Sequence, residues 1–146
     1  MTQHASHRRL PEPAVFLGFG GGTSQAWQRL LAPGFRHCFA GLRDADGWTV
    51  VDPLSGRLHI TRLGVDADYD LPALWTRAGF VVLGPFTPAE AIATPLPGLL
   101  PLTCVSVCRA LLGPGAPFAL TPQGLFKRLI SYDQNPRKKT LTILPT

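Results

Sequence analysis

Arg36-His37-Cys38-Phe39-Ala40-Gly41-Leu42-Arg43-Asp44-Ala45-Asp46-Gly47-Trp48-Thr49-Val50-Val51-Asp52 is the stretch on which the fold turns. Two apolar-rich runs flank Asp44-Ala45-Asp46-Gly47, whose residues favour a turn, so residues 36–52 predict a β-hairpin. A four-residue loop pairs Arg43 with Trp48. The same register pairs Phe39 with Asp52 and His37 with Leu54. His37 and Asp52 then share one face as diagonal neighbours, about 7 Å apart at Cα and within reach of an imidazole–carboxylate bond. A loop longer by one residue would send them to opposite faces.

Outward from the hairpin, Ala14–Phe19 is apolar and reads as a strand. Gly18-Phe19-Gly20-Gly21-Gly22-Thr23-Ser24 follows, with Thr23-Ser24 as the N-cap of a short helix over Gln25–Leu31 that Pro33-Gly34 ends. The glycines invite a phosphate-loop reading, but no Lys precedes Thr23 and no acidic residue stands about 20 positions on in a βαβ setting, so we read a tight turn. Beyond the hairpin, Ser55-Gly56 turns the chain into a fourth strand, Arg57–Leu63. Leu71–Ala78 predicts a helix with Pro72 in its first turn, and Phe80–Leu83 a fifth strand. Residues 84–101 are rich in Pro and read as a loop. Thr103 caps a helix from Cys104 to Leu112, which Gly113-Pro114 stops. Thr121-Pro122 opens a last helix, to about Ile130. The expected organisation is a flexible tail over 1–12, one domain over 13–132, and a basic arm over 133–146.

A chain of 146 residues suits one domain with a single core. Fifteen Gly and fifteen Pro imply short elements joined by turns. No apolar run approaches the roughly 20 residues of a membrane-spanning helix, and residues 1–13 lack the pattern of a secretory signal. Location stays open on these features. The net charge of +5 gathers at the two ends, while residues 44–90 are acidic. Such ends could meet an anionic polymer or simply be solvated. Nucleic acid is not an expected partner, because the tails offer only Tyr132 as an aromatic to interleave with the basic residues. Three cysteines, Cys38, Cys104 and Cys108, make a poor disulfide framework.

The chemistry concentrates in few residues. A nucleophilic Cys needs its thiolate, which a helix N-terminus favours, and Cys104 stands at the start of a predicted helix. A His serves such a thiol as base, and a carboxylate holds the imidazole. His37 and Asp52 are the candidates. Alone, each is open to a structural reading: Cys is among the residues most often buried, and Cys38 and Cys108 read as core. Cys104 and Cys108, four apart on one helix face, could join His37 around zinc, but a single Cys-x₃-Cys is a weak signal. We expect no metal and no cofactor. His59 alternates outward on its strand.

Phe35-Arg36-His37 entering a strand, a hairpin partner strand, and a late helix opening with Thr103-Cys104-Val105 together resemble the circularly permuted NlpC/P60 group of papain-like thiol hydrolases. Gly47-Trp48-Thr49-Val50-Val51-Asp52-Pro53 is similar to the Trp–Asp-Pro stretch that follows the catalytic His of transglutaminase-like enzymes. The layout of Thr103–Leu112 followed by Thr121-Pro122-Gln123-Gly124-Leu125-Phe126 resembles small phage and prophage proteins. The resemblance implies a papain-like α+β fold, with a five- or six-stranded antiparallel sheet and the Cys104 helix packed on it. It implies Cys104 as nucleophile, His37 as base and Asp52 as the residue that orients it, acting on an amide, as in peptidoglycan, or on an ester or thioester. We identify no oxyanion donor such as a Gln just before the Cys. The alternative is a non-catalytic virion structural or assembly protein that keeps the fold and uses residues 133–146 to bind a neighbouring subunit.

Overall fold

A computed structural model describes residues 11–21, 33–54, 57–90 and 103–133. The order of elements is β1 (Ala14–Gly20), β2 (His37–Asp44), β3 (Gly47–Leu54), β4 (Arg57–Arg62), α1 (Leu71–Arg77), β5 (Val81–Phe86), α2 (Cys104–Leu112) and α3 (Pro122–Asp133). The five strands form one antiparallel sheet in the order β4-β3-β2-β1-β5. This is an α+β arrangement, with helices on both faces of the sheet.

β1 shows why the sheet is covered on both sides. All seven of its residues are buried, as expected of a strand near the middle of a sheet with apolar layers above and below. Its odd positions, Val15, Leu17 and Phe19, join Cys38, Ala40, Val51 and Phe86 under α2 and α3. From the helices come Val105, Val107, Cys108, Leu111, Leu112, Leu125 and Leu129. Its even positions Ala14 and Phe16 join Phe39 and Trp48 on the other face, against Leu71 and Trp75 of α1. Gly18 pairs with Phe39, whose ring occupies the space a Cβ on Gly18 would need. A Cβ on Gly41 would sit 2.6 Å from the Trp75 ring.

The helices start where the sequence places their caps. Asp70 accepts a hydrogen bond from the Ala73 N–H at 3.0 Å to open α1. Thr103 opens α2 with a capping box: its hydroxyl accepts from the Ser106 N–H at 3.1 Å, while the Ser106 hydroxyl accepts from the Thr103 N–H at 2.9 Å. Gly113, at φ 88°, ends α2. Thr121 accepts from the Gly124 N–H at 3.0 Å as α3 begins, and Phe126 of α3 packs with Phe19 and Phe35.

β5 and α3 each run three residues past their expected ends. β5 runs on to Phe86 through Gly84-Pro85, because β1 continues alongside it and pairs Val15 with Phe86 past a register shift. α3 continues to Asp133, three residues beyond Ile130 and into the segment expected to be arm. β4 lies at the sheet edge with every residue exposed, Leu58 and Ile60 included. The short helix expected over Gln25–Leu31, the Ser55-Gly56 turn, and most of the tail, the Pro-rich loop and the arm lie outside the described residues. Among the described residues no helix is long and apolar enough to cross a membrane.

Candidate active site

The hairpin has the expected register: Arg43 pairs with Trp48 and Asp44 with Gly47 around Ala45-Asp46. Paired residues run from there to Ala40↔Val51, where the β2–β3 ladder stops, although β3 continues alongside β4 to Leu54↔Arg57. Pro53 supplies a physical reason for the stop, since it falls opposite Cys38 and has no N–H to donate. β2 and β3 therefore part at the end of the sheet that bears His37 and Asp52.

His37 is the first residue of β2 and pairs with Gly20, the last of β1. Its Nε2 lies 2.6 Å from Asp52 Oδ1, with side-chain exposures of 12% and 30%. The diagonal relation expected from the turn thus brings the two side chains together. The imidazole also interacts with Cys104, which helps to hold its proton. Cys104 is half-buried at the first position of α2, packed against the core under that helix. The first turn of α2 carries no acidic side chain, so nothing there competes with a thiolate for the positive end of the helix.

The electrostatics follow from these contacts. Burial is the largest single influence on His37 and works against its charge, but hydrogen bonds to Asp52 and to Cys104, and the charges of both, outweigh it. The imidazole is pushed up to about 9. For Cys104 the hydrogen bond with Cys38 is the largest influence. Burial opposes it, and His37 and the Cys38 backbone add to it, leaving the thiol lowered to about 5. Cys38 moves the other way, well above the ordinary thiol range, because its side chain hydrogen-bonds Cys104 and Cys108 and is buried. Near neutral pH these shifts make Cys104 a thiolate beside a cationic His37, with Cys38 protonated.

Of the residues singled out from sequence, the fold therefore gathers Cys104, His37 and Asp52 at one end of the sheet. Cys108 is fully buried. Cys38 is fully buried too, in the core as expected. Strand alternation puts it on the face away from His37, in the core cluster under α2. Pro53 was the available signal that the strands separate here. His59 is exposed but pairs with Asp52 across β3 and β4. Among the described residues no group of three His, Cys, Asp or Glu side chains is arranged to hold a metal ion. Compared with protein-family models, with curated proteins and with solved structures, the chain matches none.

Proposed function

We propose that this protein is a cysteine hydrolase that cleaves an acyl bond through an acyl-enzyme on Cys104, with a permuted papain-like fold of the NlpC/P60 type. One observation carries the reading: a single imidazole, His37, is bonded to a carboxylate and also interacts with a thiol at a helix N-terminus. That is the arrangement of nucleophile, base and orienting group needed for thiol acyl transfer.

The residues divide the work as follows. The Cys104 thiolate attacks the carbonyl carbon, and a C–S bond forms as the carbonyl π electrons move to oxygen. When the tetrahedral intermediate collapses, the bond to the leaving group breaks. His37 gives that group a proton from Nδ1, the nitrogen that Asp52 does not hold. Water then attacks the thioester, losing its proton to the now neutral His37, and the acid leaves from Cys104. Asp52 keeps the ring oriented and stabilises its cationic form. The proton on His37 persists to about pH 9, which suits a leaving group that must be protonated, such as an amine or an alkoxide. This favours amides and esters over thioesters, whose thiolate leaves without help. A peptidoglycan amide is one substrate of this class.

The test is capture of the acyl-enzyme. The protein is incubated with an activated ester such as p-nitrophenyl acetate and quenched in acid. Intact mass and peptide mapping should show one acetyl group, on Cys104, and none in Cys104→Ala. Purified peptidoglycan assayed for newly released amines then tests the natural amide class. If the parent chain is never acylated although Cys104 alkylates readily, the hydrolase reading is wrong.

A further inference from the structure

β4 and β5 are the two edges of the sheet, and they end it differently. β5 contains Gly84-Pro85, and its register against β1 shifts between Val15 and Leu17. A proline that cannot donate and an irregular register are common means of closing an edge to further strands. β4 has neither. Arg57–Arg62 pairs with β3 in one unbroken register. The strand contains no Pro, Gly or Lys, and every residue of it is exposed.

The ladder fixes which backbone groups face outward. Leu63 N–H donates to Trp48 O at 2.9 Å. Bonded and non-bonded residues alternate along an antiparallel pair, so Arg57, His59 and Thr61 turn their backbone groups to β3, while Leu58, Ile60 and Arg62 turn theirs away from the sheet. Ile60 stands opposite Val51 and Leu58 opposite Pro53, which puts both side chains on the face that α2 and α3 cover. Val51 is 5% exposed in the core there, whereas Leu58 is 52% and Ile60 64% exposed. Leu58 and Ile60 thus offer outward backbone groups and uncovered apolar side chains together, the combination that an added strand meets.

Charge selects the occupant. β4 carries Arg57, His59 and Arg62 and no acidic residue. Arg62 is bonded to Asp44 at 3.1 Å. Arg57 has no ion pair among the described residues, and by alternation it shares the α1 face of the strand with His59. A second copy would bring another Arg57 and His59 to that face, and this chain's own end carries Arg137-Lys138-Lys139. An acidic strand complements the edge; these two do not. We propose that β4 is a docking edge that takes up an extended segment of a partner protein as a sixth strand. The segment alternates apolar side chains, laid against Leu58 and Ile60, with acidic ones that face His59 and Arg57. The proposal goes beyond the hydrolase reading and does not depend on it.

The probe is a short blocked peptide of alternating Val and Glu, added to the full chain and followed by amide NMR and hydrogen exchange. The N–H groups of Leu58 and Ile60 should exchange quickly in the free chain and slowly with peptide, while those of His59 and Thr61, already bonded to β3, change little. The same peptide with Lys in place of Glu should bind at least about fivefold more weakly, as should the Glu peptide to Arg57→Glu. A peptide N-methylated on the residues that face β4 should not bind. Ile60→Pro removes an outward donor and spares the β3 ladder, so it should abolish binding in a chain that still alkylates at Cys104 with the parent midpoint. The N-methylated peptide makes the same test on the unaltered chain. No protection at Leu58 and Ile60, equal binding of the Lys peptide, or equal binding of the N-methylated one would overturn the proposal. So would slow exchange at both residues before any peptide is added, which would mean that a second copy or this chain itself already fills the edge.

Discussion

Alkylation of Cys104 as a function of pH tests the ion pair most directly, provided the right quantity is read. Cys38 and Cys108 are fully buried, so iodoacetamide on the native chain should report Cys104. With its thiol lowered to about 5, Cys104 is ~90% thiolate at pH 6, whereas an ordinary thiol near 8.5 is ~0.3% thiolate there. That is a ratio of about 300. A thiolate loses intrinsic nucleophilicity as its pKa falls, with a Brønsted slope of about 0.4–0.5, so a drop of about 3.5 units costs ~40-fold. The net advantage at pH 6 is roughly tenfold. At pH 7 the thiolate ratio shrinks to about 30 and the two effects nearly cancel.

A single rate at neutral pH is therefore uninformative, and the midpoint of the pH–rate profile is the measurement to make. The parent should show a midpoint near 5 and a flat rate above it. In His37→Ala the midpoint should rise by about 1–3 units, the usual effect of removing a close opposite charge. Stopped alkylation followed by peptide mass analysis from pH 4 to 9 gives both curves. A parent rate that climbs tenfold per pH unit up to about 8.5, unchanged by His37→Ala, would show an ordinary thiol and refute the pairing.

Other outcomes follow from the same geometry. Asp52→Asn removes the carboxylate 2.6 Å from His37 Nε2 and should lower the upper limb of the pH–activity profile from about 9 toward 6.5, as NMR titration of the His37 ring can show. Cys104, lowered from 9.0 to about 5, adds stability that is complete above pH 9.0 and lost as pH falls through about 5. His37, raised from 6.5 to about 9, adds stability that is complete below pH 6.5 and lost as pH rises through about 9. The urea midpoints of the parent and Cys104→Ala should therefore converge as pH falls through 5, and a gap independent of pH would count against the pair. Gly41→Ala drives a Cβ to 2.6 Å from the Trp75 ring and should destabilise by about 1–3 kcal/mol in denaturant unfolding, without moving the Cys104 midpoint.

The parts readable from sequence were those set by neighbours in the chain. The turn residues at 44–47, with a side-chain period of two, place His37 and Asp52 on one face, and the observed register is the same one. Thr103 and Gly113 bracket α2 because capping is local. Non-local choices were not readable. Gly84-Pro85 looks like a stop, yet β5 continues because β1 lies beside it. The alternation of Leu58 and Ile60 gives them a common face, but whether anything covers that face depends on how far the helices reach, and both are exposed. Alternation assigns Cys38 correctly to the core, but what packs over it depends on where a helix more than sixty residues later crosses its strand.

The place of the site at the end of the sheet has a physical logic. Within a continuous ladder, His37 and Cys104 would be separated by the sheet itself, since strand alternation puts the His on the α1 face and the helix covers the other. The β2–β3 ladder, however, stops after Ala40↔Val51, short of His37. The same interruption serves the charges. A thiolate and an imidazolium withdrawn from water each need partners to offset lost hydration. His37 has Asp52 on one nitrogen and Cys104 on its other side. Cys104 has His37 and the start of α2. Pro53, which cannot donate to the ladder, thus ends strand pairing at the end of the sheet where His37 and Asp52 meet.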